Sequence, residues 1–121
     1  MASDRAVPPD DISAAEFFTR WVPDHVAADP ERRTKLAGTT ASIEFTLTAP
    51  RREVFTVYID DGAVMGTAAP HRDPDLRVEL DELTWRALNR GGMSAPEALL
   101  RRKVKIHGDF LLALKLHLIL A

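Results

Sequence analysis

The sequence predicts an α+β domain, a largely antiparallel sheet covered by helices, and three observations predict it. Five stretches read as strands, most of them alternating apolar with polar residues at period two. Helix-start signals flank them: Ser13-Ala14-Ala15-Glu16, Asp29-Pro30, Asp81, Ser94-Ala95-Pro96-Glu97 and Asp109. The chain then ends in a leucine-rich run, Phe110 to Ala121, that has no polar face.

In chain order, residues 1–12 read as a flexible arm, polar and interrupted by Pro8 and Pro9, and residues 13–121 as a single domain. The first helix carries Phe17, Phe18 and Trp21 on one side at i, i+1, i+4 spacing, and Pro23 stops or bends it. A second short helix starts at Asp29-Pro30 and ends with Gly38 at the C′ position. A meander of strands follows. Ile43, Phe45 and Leu47 form the apolar face of the first, and Phe55, Val57 and Ile59 that of the second. Asp61-Gly62 is a tight-hairpin signal, since both residues tolerate positive φ. Ala63 to Ala68 makes the third strand, and Leu76, Val78 and Leu80 mark the fourth. Asp81 caps a helix with Leu83, Trp85 and Leu88 that ends at Gly91-Gly92, and Ser94 opens a short one through Leu100. Arg101 to His107 alternates as a final strand; Gly108 breaks it and Asp109 caps the terminal helix.

On a helical wheel that last helix has two apolar arcs. Phe110, Leu111, Leu114, Leu118 and Ala121 form one, and Leu112, Ala113, Leu116, Ile119 and Leu120 the other, with Lys115 and His117 between them. It therefore needs apolar surroundings on both sides: the sheet on one, and a second element, a partner chain or an apolar ligand on the other.

Composition excludes several classes. At 121 residues with 45% hydrophobic and 28% charged residues, the chain can build one core and is not a disordered sequence. A formal charge of −2 gives no general attraction to nucleic acid, and the basic run Arg101, Arg102, Lys103, Lys105 lacks interleaved aromatics; it reads first as a solvated strand face, and otherwise as attraction to an acyl carboxylate, a phosphate head group or an anionic membrane. With no cysteine, disulfides and thiolate chemistry are out. His25, His71, His107 and His117 show no metal-ligand spacing, and no nucleophile elbow, phosphate loop or dinucleotide fingerprint occurs, so neither a metal nor a cofactor is expected. The polar N-terminus carries no signal peptide and the terminal apolar run is too short to span a bilayer, so a cytoplasmic protein is expected. Arginine outnumbers lysine 12 to 4, a bias of GC-rich bacterial genomes.

From Tyr58 onward the order of signals resembles the sterol carrier protein type-2 family of small lipid-binding domains. The residues that carry this are the Asp61-Gly62 hairpin, the Leu76–Leu80 strand into the Asp81–Arg90 helix, the Gly91-Gly92 break and the Pro96–Leu100 helix. Then comes Lys103-Val104-Lys105-Ile106-His107-Gly108-Asp109 feeding the apolar helix, and the Ile43–Leu47 strand fits too. The resemblance implies about five strands with helices around an apolar cavity that the terminal helix helps line. It implies a non-catalytic carrier of a fatty acyl chain, acyl-CoA, sterol or similar molecule, and the cavity is expected to be lined from Phe45, Phe55, Trp85, Leu88, Met93, Phe110, Leu111, Leu114 and Leu118. Phe17 and Trp21, on a helix outside the recognisable pattern, read together with Phe18 as a core face or as a lid over that cavity. Trp85 either packs at an edge or faces that cavity, and Met93 suits a portal. A transient membrane contact and a homodimer through the terminal helix stay open. The alternative is a small enzyme, or an enzyme's accessory, acting on a hydrophobic metabolite such as a polyketide or terpenoid, with an acid–base group drawn from Asp60, His71, Glu79, His107 or His117.

Overall fold

The computed structural model describes residues 7–119, apart from the side chain of His117; Leu120 and Ala121, assigned above to the terminal helix, lie outside the described residues. Alternation along the strands builds a five-stranded sheet. Its strands are β1 (Thr40–Leu47), β2 (Glu53–Asp60), β3 (Ala63–Thr67), β4 (Leu76–Leu80) and β5 (Val104–Gly108), in the order β3-β2-β1-β4-β5. The β1–β2, β2–β3 and β4–β5 pairs are antiparallel and β1–β4 is parallel, so the sheet is α+β and largely antiparallel as expected.

The expected meander holds only for the first three strands. Asp60 pairs with Ala63 across a two-residue turn in which Asp61 has φ 48° and Gly62 φ 91°. After β3 the chain does not turn back beside it. Residues 68–75 cross the polar face of β2 and β1 to place β4 next to β1, and this face holds the crossing by hydrogen bonds. Thr56 Oγ1 donates to the Ala69 carbonyl at 2.7 Å, the His71 N–H to Glu44 Oε2 at 2.9 Å, and the Ser42 N–H to Asp75 Oδ2 at 2.8 Å. Glu44, Thr46 and Thr56 are buried as a result.

Helices cover the other face. α1 (Ala14–Glu16), a π-helical stretch Phe17–Trp21 and α2 (Val22–Ala27) run on as one rod, with α3 (Pro30–Leu36) after it. Pro23 does not stop the helix, which continues through it into α2. The Val22 N–H bonds five residues back to the Phe17 carbonyl, and this wider turn takes up the strain where proline has no N–H to give. The extra residue rotates the face. Val22, five residues after Phe17, enters the core at 1% exposure, while Trp21 turns half out and stacks on His25 with ring centroids 3.7 Å apart. Of the N-terminal arm, Pro8 and Ile12 are buried, and Arg86 Nη1 donates to the Asp10 carbonyl at 2.7 Å.

After β4 come α4 (Glu82–Arg90), α5 (Ala95–Leu100) and, beyond β5, α6 (Phe110–Ala113) with a 3-10 turn at Leu116–Leu118. β5 begins three residues later than the alternation predicts, because Arg101 and Arg102 form the turn out of α5, Arg102 with φ 57°. The predicted N-caps are all in place: Ser13, Asp29, Asp81, Ser94 and Asp109 each accept from a backbone N–H two or three residues on. No helix among the described residues is long and apolar enough to cross a membrane.

Asp81 gives a direct test of these caps. Hydrogen bonds from the Thr84 side chain and the Thr84 N–H, with the charge of Lys103 beyond them, hold its carboxyl below its ordinary value of 3.8. A lowered folded-state value means the stabilisation is complete above that ordinary value and is lost as pH falls through the folded one. Asp81→Ala should therefore cost about 1 kcal/mol at pH 7 and progressively less below pH 3.8. Urea unfolding of both proteins across that range checks it, and a deficit independent of pH would show that the carboxylate charge is not what caps α4.

Candidate functional site

The inner face of the sheet presents Ile43, Phe45, Leu47, Phe55, Val57, Ile59, Leu76, Val78 and Leu80, all buried. Against it stands an aromatic layer. Phe18 lies with its ring centroid 4.8 Å from Phe45, 5.1 Å from Phe55 and 5.0 Å from Phe17, and Trp85 meets Phe17 at 5.3 Å and Phe18 at 6.2 Å. Each such pair contributes roughly 0.5–1.5 kcal/mol beyond its buried area. Phe17, Phe18, Phe45 and Trp85 have no exposed surface. Trp85 thus faces the interior rather than an edge, with the Arg86 guanidinium carbon 4.9 Å from its ring centre.

The terminal segment closes this interior, though not as one helix. α6 ends after one turn, and the chain re-forms as the 3-10 turn at Leu116–Leu118. A continuous helix would have left Leu118 on the outer arc; the break brings it to 2% exposure beside Leu112, Leu116 and Ile119. It also lets Lys115 Nζ donate to Thr39 Oγ1 at 2.7 Å, tying the segment to the far end of the sheet. Leu112, Leu116 and Ile119 of the inner arc are thereby buried and Ala113 half-buried, while on the outer arc Phe110 is 71%, Leu111 73% and Leu114 61% exposed.

The predicted site residues therefore divide into three groups. Phe17, Phe45, Phe55, Trp85 and Leu118 meet in the core. Trp21, Leu88 and Met93 are half-buried, the first two packed against the core from its rim together with Val104, Ile106 and Ala113. Phe110, Leu111 and Leu114 lie on the outside. Phe18, placed by its spacing on the apolar side of the first helix but not among the expected lining, stands at the centre of the aromatic layer, and Asn89, buried on α4 four residues after Trp85, was not anticipated. The i, i+4 spacing from a tryptophan was the available signal for Asn89.

Polarity is sharply distributed. The buried cluster on the helical side is hydrocarbon and aromatic, and the helices also bury the polar side chains of Arg32, Thr84 and Asn89 and the indole N–H of Trp85. Four of the five titratable candidates lie elsewhere, and the side chain of the fifth, His117, lies outside the described residues. Glu79 and His107, 3.9 Å apart, belong to the polar face, Asp60 is exposed at the end of β2, and His71 sits in the crossing loop with its Nδ1 accepting from the Asp73 N–H. An open groove of about 550 Å3 also lies toward that side, among Thr40, Ser42, Tyr58, Asp60, Met65 and His71. The arrangement as a whole sets a largely aromatic and aliphatic interior against polar chemistry on the opposite face of the sheet.

A family model described as the SCP-2 sterol transfer family matches residues 23–121. No curated protein sequence matches the chain significantly. Among solved structures, palmitated sterol carrier protein 2-like 2 from Aedes aegypti superposes with a TM-score of 0.65 at 23% identity, covering 87% of this chain and 91% of that one. The sterol carrier protein domain 2 of Helicoverpa armigera gives 0.69 at 18%, covering 91% and 87%. The stereoselective inverting sec-alkylsulfatase from Pseudomonas sp. also gives 0.69 at 18% identity, covering 91% of this chain, which spans only 17% of the sulfatase. At these identities the likeness is one of fold.

Proposed function

The chain belongs to the SCP-2 sterol transfer family, and from that premise we propose that it is a non-catalytic carrier of a lipid or other long hydrophobic molecule. The ligand occupies an internal apolar tunnel between the sheet and the helices, lined by the aromatic layer. One observation carries this reading: the interior is closed by a segment of short helical turns that is apolar on both sides, buried within and bare without. Such a segment can move off the core and still keep hydrocarbon contacts, because a bound chain replaces those it gives up. Leu88, Val104, Ile106 and Ala113, half-buried at the rim, mark the way in. Phe110, Leu111 and Leu114 supply the surface available to a membrane during transfer. Affinity comes mainly from burying methylenes, about 0.8 kcal/mol each, and so grows with chain length.

The similarity to part of a sulfatase supports a second reading, an accessory domain beside an enzyme that handles hydrophobic substrates. Asp60, His71, Glu79 and His107 all lie away from the aromatic interior, which favours delivery over catalysis. Native mass spectrometry of the protein as purified, then organic extraction and reloading with saturated fatty acids of increasing length, tests the carrier. Uptake should strengthen about fourfold per added methylene until the tunnel is full. Delipidated protein that takes up no fatty acid, acyl-CoA or sterol would sink the proposal.

A further inference from the structure

The two edges of the sheet are treated differently. β3 has the rod of α1 and α2 packed against it, whereas β5 has one strand neighbour, β4, and an open outer side. The Asp109 N–H donates to the Asp75 carbonyl at 2.8 Å, and this bond fixes the phase of the β4–β5 ladder. Bonded and non-bonded pairs alternate in an antiparallel pair, so Lys105 and His107 turn their N–H and C=O groups toward Glu79 and Arg77. Val104, Ile106 and Gly108 turn theirs outward, where they meet no hydrogen-bond partner among the described residues. The strand contains no proline and its register no bulge, two devices that commonly close an edge.

What guards this edge is charge, and the charge has one sign. Lys105 and His107 are exposed on the polar face of β5, and Arg102 and Lys103 are exposed just before it. Arg102, Lys103 and Lys105 form no ion pair among the described residues, although the whole chain carries a net charge of −2. Such a row repels a second copy of itself, because antiparallel pairing centred on Ile106 would set Lys105 of one copy against His107 of the other. It attracts an acidic strand. On the opposite face Val104 and Ile106 are only half-buried, so the apolar inner surface runs to the edge and stops there partly uncovered. We infer that the β5 edge is a docking site for an extended segment of a partner protein in which acidic and apolar residues alternate. The segment adds as a sixth strand and exchanges backbone hydrogen bonds with Val104, Ile106 and Gly108. Its carboxylates lie beside Lys105 and His107, and its apolar side chains cover Val104 and Ile106. The docking uses only the edge and stands whether or not the interior carries a ligand.

The test is titration of the isotope-labelled protein with a capped octapeptide alternating valine and glutamate, read by NMR as binding shifts and amide hydrogen exchange. At saturation the exchange of the Val104, Ile106 and Gly108 N–H groups should slow by about tenfold or more, since each gains an acceptor. The same peptide with lysine in place of glutamate should bind roughly tenfold more weakly. So should the acidic peptide N-methylated at every residue, which keeps its charges and loses the N–H groups that pairing needs. Lys105→Gln, a change on the exposed face, should weaken the acidic peptide about threefold. Binding that leaves the three amides unprotected, or that survives full N-methylation, would reduce the edge to a patch of charge and overturn the inference. No binding at millimolar peptide would overturn it as well. Protection of the three amides by phosphatidylserine vesicles and not by the peptide would assign this face to a membrane instead. Protection that grows with protein concentration alone would assign it to a second copy of the chain.

Discussion

Gly66→Ala is expected to destabilise the protein by about 3 kcal/mol or more. Gly66 lies on β3 opposite Val57, on the inner face of the sheet, where the rod of α1 and α2 crosses it. A Cβ at this position would fall well inside contact distance of the Phe18 carbonyl oxygen, with the Phe18 carbonyl carbon at 2.8 Å and Thr19 Cα at 3.2 Å. All three are backbone atoms, so no side chain can swing aside; the rod must lift from the sheet. Lifting it pulls Phe18 off Phe45 and Phe55, and the aromatic layer loses its central ring. The close approach has a cause in the sequence. The π turn bonds Val22 to Phe17, and the next bond of that ladder would run from Pro23 to Phe18, which proline cannot make. The Phe18 carbonyl lies against the glycine instead. Urea unfolding measures the loss, and Gly92→Ala serves as control. There the added Cβ meets only the Ala87 carbonyl, at an ordinary 3.7 Å, so the change should stay within about 0.5 kcal/mol. Equal stability of the two variants would mean that the rod can lift off β3 without cost to the aromatic layer.

The same segment shows what a sequence displays and what it hides. Local chemistry was legible wherever one or two residues decide the geometry. The Asp61-Gly62 turn has both residues at positive φ, the five caps bond their helices, and Gly38 and Gly91 follow their helices at φ 77° and 76°. The apolar faces of β1, β2 and β4 point inward as their alternation requires. Hidden were the features that depend on what lies across the fold. A helix wheel at 100° per residue puts Trp21 beside Phe17, and only the π turn replaces it with Val22. Nothing in Phe110–Ile119, mostly leucine, alanine and lysine with no glycine or proline, announces the break before Leu116, which answers to Thr39 and to the burial of Leu118. The parallel β1–β4 pair depends on a crossing held by Ser42, Glu44 and Thr56, three residues that alternation alone marks as solvent-facing. The candidate site divides the same way. Its aromatic lining could be read as residue types, whereas the unpaired atoms of Trp85 and Asn89 are a property of their surroundings.

Trp85→Ala should then show how much of the fold hangs on that interior. Removing a fully buried tryptophan gives up its transfer free energy and leaves a cavity against Phe17 and Phe18, at a typical cost of about 3–5 kcal/mol. Two terms oppose each other within that range. The variant no longer buries an unpaired indole N–H, a relief of about 1–3 kcal/mol, while Arg86 loses the ring it lies over, worth roughly 0.5–1 kcal/mol. The relief is the larger, so the loss should sit near the lower bound, about 3 kcal/mol. Because the walls are aromatic and aliphatic, the cavity should remain dry and accept a molecule of the missing shape. Added indole is therefore expected to raise the melting temperature of Trp85→Ala by clearly more than that of the wild type, which has no cavity of that shape. At a hundredfold excess over its dissociation constant it would recover about 2.7 kcal/mol, most of the deficit. Differential scanning calorimetry with and without indole reads both effects. A deficit that indole does not touch would mean the side chains around Trp85 collapse into the space, and so that this interior yields rather than holds a shape for a guest.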